Sequence, residues 1–356
     1  MLNQPVLCPV LPEHRFDEKA LQGYLKNKLP GAEQSIQIQQ FQGGQSNPTF
    51  LLETPAGCYV LRKKPPGKLL PSAHKIEREF QVMDALQATP VPVPKTRLLC
   101  EDAEVIGTPF YIMDHVPGRV VEKPDLPGLQ PDERQSVYQA MATTLANLHR
   151  VDWQAVGLEN FGKPENYYTR QINRWTQQYL ASCDPPAGGE AGARAMRELI
   201  DWLPVNIPDD DRVTLAHGDY RVGNLILDTT EPRINALLDW ELSTLGHPLA
   251  DLAYCCIPYH LPWNQGGIKG LLGLDLQAAG IPSEEAFITS YCEQAGLPAP
   301  TSWNFYLAFA LFRLAAILQG VYARALQGNA SSANALDVGG RAALLAETAW
   351  KLARQG

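Results

Sequence analysis

HGDYRVGNLILD, at residues 217–228, is followed after a short gap by INALLDWE, at residues 234–241. Within these segments, 225–227 and 234–238 are apolar runs with polar ends, which is the pattern of short buried strands. Two such strands joined by a short turn are expected to form a hairpin whose ends face each other. The loop and the hairpin would then gather three oxygen-bearing side chains, those of Asp219, Asn224 and Asp239.

These three side chains fit metal-assisted phosphoryl transfer. In that reaction the protein places an acceptor hydroxyl against a γ-phosphate, holds magnesium and neutralises developing charge. We predict Asp219 as the catalytic residue that accepts the hydroxyl proton, with Asn224 and Asp239 as metal ligands. The alternative is a metal-dependent hydrolase that uses His217 and Asp219 as ligands. That alternative needs further His or carboxylate ligands, which the spacing does not offer.

The segments around this loop resemble a known family. Four stretches carry the resemblance, namely GGQSNPTFLL (43–52), YVLRKKP (59–65), HGDYRVGNLILD (217–228) and LLDWELSTLGHPLADLAY (237–254). Together they resemble the aminoglycoside and choline phosphotransferase branch of the protein-kinase-like superfamily, and most of all the kinase-like domains associated with acyl-CoA dehydrogenases. The resemblance implies an α+β, bilobal protein-kinase-like fold. Its N-terminal lobe would be an antiparallel sheet with one main helix, and its larger C-terminal lobe would be mostly helical.

Composition limits the class of protein. The chain has 356 residues, of which 45% are hydrophobic and 19% charged, enough for two lobes with a substantial core. A net charge of -8 and the lack of a long Lys/Arg run argue against nucleic acid as the main partner. The seven scattered cysteines include no CxxC pair, which is typical of a reducing cytoplasm. The amino terminus lacks the pattern of a secretory signal.

The most apolar helix candidate, at residues 306–326, contains Arg313 and Arg324. Its apolar residues recur at helical spacing, which is typical of a core-facing helix in a soluble protein and not of a membrane span. The sequence therefore predicts a cytoplasmic protein without a membrane partner. No oligomeric state is predicted.

The pattern along the chain changes near residue 115. Before it, three strand-like pieces separated by turn-rich segments predict an antiparallel sheet, at 35–41, 49–54 and 57–64. The other elements expected there are a helix and two strands, near 73–86, 96–100 and 110–113. Beyond DHVPGR (114–119) the pattern turns helical. We therefore predict a nucleotide-binding lobe over 1–115 and a catalytic and acceptor-binding lobe over 116–356.

The turn FQGGQSN, at residues 41–47, lies between two predicted strands. It lacks the P-loop pattern and no helix follows it, so an ordinary hairpin turn is one interpretation. The family resemblance implies a loop that covers the nucleotide phosphates. The candidates for phosphate contact in that loop are Gly43, Gly44, Ser46 and Asn47.

The strand YVLRK, at residues 59–63, carries the candidate phosphate-binding cation. In kinases a lysine on the third strand contacts phosphates and is held by a helix glutamate. Because side chains alternate along a strand, Val60 and Arg62 share one face. If Val60 covers the adenine, Arg62 contacts phosphate, which a guanidinium can grip with two hydrogen bonds. Lys63 is the alternative phosphate contact. A further interpretation is that Arg62 and Lys63 are both solvated charges at the edge of a strand. We predict Glu79 as the helix partner, because REF matches the family pattern.

The segment YIMDHVPG, at residues 111–118, is predicted to connect the lobes. In the family the backbone of this linker reads adenine. The resemblance therefore implies adenine contacts by the Asp114 carbonyl and the Val116 amide, with Met113 in the pocket wall. An ordinary core strand and linker is the alternative.

Several neighbours of the catalytic segment have expected supporting roles. The resemblance implies that His217 props the loop and is not the base. Asp251 is expected either to cap a helix or to brace the catalytic loop. Arg221 is expected to reach a phosphate or to pair with a carboxylate. Trp240 and Glu241 follow Asp239 where protein-phosphorylating kinases have Phe-Gly, which favours the small-molecule branch.

The sequence thus predicts an ATP- and Mg²⁺-dependent phosphotransferase with a small-molecule hydroxyl acceptor. The resemblance to dehydrogenase-associated domains implies a hydroxyacyl-CoA or a hydroxy acid, whereas the broader family implies an aminoglycoside, choline or an amino sugar. Tyr259, His260 and Trp263 either line the acceptor pocket or pack in the core. A nucleotide-binding module without catalysis is a further alternative, and the arginine at position 62 is the one feature in its favour.

Overall fold

An antiparallel sheet forms the N-terminal lobe. The computed structural model describes residues 6–42, 47–65, 75–265, 267–328 and 334–355. In the described part, the sheet consists of β1 (Leu7–Cys8), β2 (Gln37–Phe41), β3 (Thr49–Thr54), β4 (Gly57–Lys63), β5 (Thr96–Cys100) and β6 (Phe110–Asp114). Their spatial order is β1-β2-β3-β4-β6-β5. Two helices accompany the sheet, α1 (Glu18–Leu25) and α2 (Ile76–Leu86).

The two faces of this sheet pack against different partners. One face packs with α1, whose Leu21 and Leu25 are fully buried in a cluster that includes Phe50 and Leu61. Val60 lies on the opposite face and belongs to the cluster that includes α2 and the helical lobe. Alternation along β4 therefore assigns neighbouring side chains to different halves of the molecule.

The C-terminal lobe is mostly helical. Its helices are α3 (Pro131–His149), α4 (Tyr167–Leu180), α5 (Gly189–Trp202), α6 (Pro248–Cys256), α7 (Leu276–Ala279), α8 (Glu284–Ala295), α9 (Trp303–Leu326), α10 (Ala335–Gly339) and α11 (Ala342–Ala353). The described residues of this lobe also include the short strands β7 (Arg119–Val120), β8 (Thr214–Ala216), β9 (Leu225–Leu227), β10 (Ile234–Leu237) and β11 (Thr244–Gly246). They pair in the orders β10-β9-β7 and β11-β8.

This architecture confirms the predicted α+β, bilobal protein-kinase-like fold. The helix expected at 73–86 appears as α2 from Ile76 onward, and residues 73 and 74 lie outside the described part of the chain. β6 ends at Asp114 and β7 begins at Arg119, on either side of the predicted linker. The division into 1–115 and 116–356 stays a prediction.

The apolar helix α9 runs through the helical lobe. By length and composition it is a candidate membrane span, and 72% of its most apolar 18-residue window is buried inside the protein. It packs against α4, α6, α10 and α11. Its Arg313 is only 4% exposed and lies over the rings of Trp175 and Tyr254. The guanidinium donates a 2.6 Å hydrogen bond to the carbonyl of Gly218.

We expect Arg313→Met to lower the free energy of unfolding by about 1–3 kcal/mol. The substitution leaves the buried Gly218 carbonyl without this donor, and an unsatisfied buried polar group costs that much. The matched control is Arg324→Met, because Arg324 lies on the same helix and is exposed. Its effect should stay within about 0.5 kcal/mol. Urea unfolding measures both, and equal losses would contradict the role assigned to Arg313.

Candidate active site

Asp219 lies in the loop between β8 and β9. The preceding Gly218 has a φ of +84°, and a Cβ at that position would lie 2.6 Å from the carbonyl oxygen of Leu242. Only glycine therefore fits there. Asn224 closes the loop, because its Nδ2 donates to both the backbone oxygen and Oδ2 of Asp219, each at 2.8 Å.

The hairpin of β9 and β10 brings Asp239 beside this loop. Leu237 pairs with Leu225, and the backbone N–H of Leu238 donates to the Asn224 carbonyl at 2.8 Å. Asp239 is the next residue, and its φ of 66° turns the chain into a 3-10 turn. Such a left-handed conformation is uncommon outside glycine and marks sites whose surroundings hold the backbone in place. The hairpin therefore places the backbone of Asp239 directly beside the loop that holds Asp219 and Asn224.

His217 joins the loop to the end of β10. Its Nδ1 accepts a 3.2 Å hydrogen bond from the Asp219 N–H, and its Nε2 donates to the Leu238 carbonyl at 2.9 Å. The ring is fully buried and packs against Trp240. Both ring nitrogens are engaged, so His217 props the loop as expected.

The hydrolase alternative requires a set of metal ligands. Among the residues that the structure describes, no group of three or more His, Cys, Asp and Glu side chains is placed to hold a metal. His217 already uses both nitrogens within the protein. His217 is therefore already committed within the protein to the contacts that hold the loop.

Asp251, on α6, braces the loop at residues 217–224, which is called the catalytic loop below. Its Oδ2 accepts from the backbone N–H of His217 at 2.6 Å, and its Oδ1 accepts from the N–H of Gly218 at 2.8 Å. Burial alone would raise its pKa, but the hydrogen bond and charge of His149, with the backbone donors, hold the pKa of this carboxyl below its ordinary value. His247, and not Asp251, caps α6.

Arg62 extends from β4 into a cluster of acidic side chains. Its Nη2 donates to Asp239 Oδ1 at 3.2 Å, and its Nε lies 3.0 Å from Glu79 Oε2 as an ion pair without hydrogen-bond alignment. Glu79 is 2% exposed and also accepts from Asn47 Nδ2 at 2.9 Å and from the Tyr111 hydroxyl at 3.1 Å. Burial alone would lower the pKa of Arg62, but Glu79 and the other anions raise it above its ordinary value. The guanidinium is therefore charged.

The alternative cation, Lys63, lies on the other face of the sheet. Its amine is near the rings of Phe16 and Phe50, at 5.8 and 6.0 Å from their centroids. Burial there lowers its pKa. Glu77, the other glutamate in the first turn of α2, pairs with Lys64.

Asn47, one of the predicted phosphate contacts, has a partner that the sequence analysis did not expect. Its side chain is fully buried and its amide nitrogen donates to Glu79, the acidic partner of Arg62. The local sequence shows no reason for this, because the partner lies 32 residues away. A phosphate contact by Asn47 stays a prediction. Gly43, Gly44 and Ser46 lie outside the described residues.

The predicted adenine-side residues lie along β4, β6 and the linker. Val60 pairs directly with Met113 across the two strands, and they are 6% and 8% exposed. The Asp114 carboxylate accepts two hydrogen bonds from Arg97, at 2.6 and 2.8 Å. The predicted adenine contact involves the backbone carbonyl of Asp114, which this pairing leaves unaffected. Val116 is half-buried in the segment after β6.

The three predicted acceptor-side residues make contacts within the protein. The Tyr259 hydroxyl donates to the Pro282 carbonyl, and the residue is 9% exposed, which is typical of packing. His260 contacts Glu284. Trp263 is 36% exposed and donates to Asp125 at 3.1 Å.

Arg221 pairs with carboxylates, which is one of the two roles expected for it, whereas the sequence analysis did not find Lys269 or Tyr254. Arg221 Nε lies 3.4 Å from Asp219 Oδ2, and its Nη1 lies 3.5 Å from Glu122 Oε2. Lys269 Nζ lies 2.5 Å from the same oxygen of Glu122. Tyr254 also lies beside Asp219, and burial together with that carboxylate raises its pKa well above the ordinary value.

Comparison with known proteins identifies the family. The model of the phosphotransferase enzyme family matches residues 37–287. Acyl-CoA dehydrogenase family member 10 of Mus musculus is 46% identical over 354 residues, which cover 99% of this chain and 32% of that protein. The chain thus spans about a third of the length of this relative. The expected similarity to proteins of the acyl-CoA dehydrogenase families is confirmed.

Solved structures agree with this result. A putative aminoglycoside phosphotransferase from Ralstonia eutropha has a TM-score of 0.85 and 47% identity, covering 96% of this chain and 99% of that one. An aminoglycoside phosphotransferase solved with AMP-PNP and hygromycin B has a TM-score of 0.61 at 16% identity, covering 94% of this chain and 98% of that one, and shows the shared fold alone. The family model, these similarities and the gathered Asp219, Asn224 and Asp239 lead to one conclusion: the chain belongs to the phosphotransferase enzyme family.

Proposed function

We propose that this protein transfers the γ-phosphate of ATP to a hydroxyl of a small molecule. The observation that carries the proposal is the convergence of Asp219, Asn224 and Asp239 with the charged Arg62 at the junction of the two lobes. A phosphoryl-transfer site needs a proton acceptor, oxygen ligands for magnesium and a cation for the phosphates. Each of these functions has a candidate in this one cluster.

Asp219 is assigned the proton-acceptor role. Asn224 holds its Oδ2 at 2.8 Å, and its side chain is 16% exposed. A carboxylate that is fixed by a neighbour and still reached by solvent is suited to accept a proton from an acceptor hydroxyl. Arg62 is assigned to the phosphates, because its guanidinium stays charged when buried.

Asn224 and Asp239 would hold the magnesium ion. Mg²⁺ prefers oxygen ligands and is often bound through one or two protein groups, with water and substrate phosphates completing its shell. The Asn224 nitrogen is used as a donor to Asp219, so Oδ1 is the atom that can ligate the metal. When bound, magnesium supplies charge neutralisation at the phosphates. The AMP-PNP complex of the distant structural neighbour supports ATP as the donor.

For the acceptor, we propose a hydroxyacyl-CoA or a hydroxy acid. The 46% identity to a protein named as an acyl-CoA dehydrogenase family member supports this choice. The alternative is an aminoglycoside, which the name of the 47% identical structure from Ralstonia eutropha supports. ATP consumption measured across hydroxyacyl-CoAs, hydroxy acids and aminoglycosides separates the two. If an aminoglycoside is turned over and no hydroxyacyl-CoA or hydroxy acid is, the acceptor is an aminoglycoside.

We expect Asp219→Asn to lower kcat by about 10²- to 10⁴-fold, the usual effect of removing a general base. The amide keeps an oxygen for the Asn224 hydrogen bond, so the loop should fold. ADP release with the best acceptor from the panel measures the loss. As a control, ATP at 100 times its Kd should still stabilise the variant by about 2.7 kcal/mol. Full turnover by this variant would rule the assignment out.

Arg62→Met and Lys63→Met test which cation serves the nucleotide. We expect Arg62→Met to raise the KM for ATP about tenfold or more, since a hydrogen bond to a charged group contributes about 1.5–3 kcal/mol. Lys63 lies on the opposite face of the sheet beside Phe16 and Phe50. Its substitution should leave the KM for ATP within about twofold, because alternation along β4 directs its side chain away from the face that carries Arg62. The reverse order of effects would assign the phosphate contact to Lys63.

Asp239→Asn tests the metal site. The substitution replaces a charged ligand with a neutral one, so a higher concentration of Mg²⁺ should be needed for half-maximal rate. Asp211→Asn is the control, because Asp211 is exposed and outside this cluster. Titration of Mg²⁺ at saturating ATP measures the shift. An unchanged magnesium requirement in Asp239→Asn would remove this residue from the metal site.

A further inference from the structure

Two cations, Arg221 beside Asp219 and Lys269 further out, share the acidic partner Glu122. Arg221 Nε lies 3.4 Å from Asp219 Oδ2, and its other end, Nη1, lies 3.5 Å from Glu122 Oε2. Lys269 Nζ lies 2.5 Å from that same oxygen. Arg221 thus contacts the same oxygen of Asp219 that Asn224 holds, and Lys269 is joined to Arg221 through Glu122. Neither cation belongs to the set proposed to bind nucleotide and metal.

Three separate segments build this group. Glu122 follows β7, Arg221 belongs to the catalytic loop, and Lys269 lies between α6 and α7. A Cβ at Gly223 would lie 2.3 Å from Arg221 Nη1 and 3.1 Å from Glu122 Oε2, so both charged groups rest directly on the backbone of the catalytic loop.

A second contact joins the same two outer segments. The Trp263 indole N–H donates to Asp125 Oδ2 at 3.1 Å. Together with the Lys269–Glu122 pair, it links the segment after β7 to the segment after α6. The cations are thus held at a defined place beside the catalytic loop, although they remain accessible to solvent.

The accessibility of the group decides what it can bind. The side chains of Arg221, Glu122 and Lys269 are 39%, 56% and 47% exposed. Ion pairs this exposed contribute about 0–1 kcal/mol, so an incoming anion can replace Glu122 at little cost. A guanidinium and an ammonium together suit a carboxylate or a phosphate. A polycationic acceptor would instead meet two like charges, one of them beside the proposed base.

We propose that Arg221 and Lys269 bind an anionic group of the acceptor, a carboxylate or a phosphate, in exchange for Glu122. The inference rests on the proposed phosphotransferase function and names the acceptor class of that site. The acceptor is an anion that places a hydroxyl at Asp219 while its acidic group contacts the two cations. Glu122 keeps the pair together until the acceptor replaces it.

Matched acceptors test the class. The anionic probes are 3-hydroxybutyrate, 3-hydroxyoctanoate and their CoA thioesters, and the neutral probes are butane-1,3-diol and octane-1,3-diol. Kanamycin and choline serve as cationic probes. We expect the KM of the preferred anionic probe to be at least about tenfold below that of the diol of equal length, the factor that corresponds to about 1.4 kcal/mol. Preference for the acids indicates a carboxylate ligand, and preference for the thioesters indicates a phosphate.

Variants test the residues. Lys269→Gln should raise the KM for the preferred anionic probe about tenfold without changing the KM for ATP. Glu122→Gln should lower that KM severalfold, because the internal competitor loses its charge. Lys351→Gln, at an exposed lysine of α11, is the control and should change neither value. A Lys269→Gln variant that changes the KM for ATP and not the acceptor KM would assign the cations to the nucleotide and overturn the inference.

The outcomes also separate this inference from the proposed function. Phosphorylation of the diols, kanamycin or choline with no anionic probe consumed overturns the anionic acceptor and leaves phosphotransfer standing. Failure of the protein to bind Mg²⁺·ATP in a thermal-shift measurement, together with no turnover of any probe, overturns both. Turnover of an anionic probe with the expected variant effects supports both.

Discussion

The imidazole of His217 connects two segments that the chain would otherwise hold apart. It accepts from the Asp219 N–H on one side and donates to the Leu238 carbonyl on the other, so the catalytic loop and the end of β10 keep a fixed separation. Asp251 in turn holds the backbone of His217, and Arg313 holds the carbonyl of Gly218. The catalytic loop thus has buried partners on both its N–H and its carbonyl groups, and the site depends on them for its shape.

A second set of contacts relates the two lobes. Arg62 of the sheet lobe bridges Glu79, also in that lobe, and Asp239 of the helical lobe. From the same lobe, Arg78 donates to the Phe161 carbonyl at 2.5 Å and lies 3.9 Å from its ring centroid. The guanidinium of Arg62 separates two carboxylates that would repel each other. It therefore has an electrostatic role within the protein itself, in addition to the phosphate contact proposed for it.

The parts of this structure that follow local rules were predictable from the sequence. The alternation of β4 separates Arg62 from Lys63, and the apolar runs before and after the hairpin turn bring Asn224 and Asp239 together. Contacts between distant segments were not predictable. No local pattern shows that Asn47 faces Glu79, or that Lys269 reaches Glu122 across 147 positions. Arg313 was visible as a charge within an apolar helix, which is a signal for a buried polar contact, but its partner was not.

Arg313 connects the catalytic loop to α9, the long helix that runs through the helical lobe. α9 packs against α4, α6, α10 and α11, and these helices together fix its position. The loop is hydrogen-bonded to α9 through Arg313, so its position depends on all of them. Random mutagenesis selected for turnover should then recover substitutions along the packed faces of α9 and α11, in positions that touch no ligand. For the proposed phosphotransfer, this distant scaffold is the place to adjust the rate without changing residues of the proposed acceptor site.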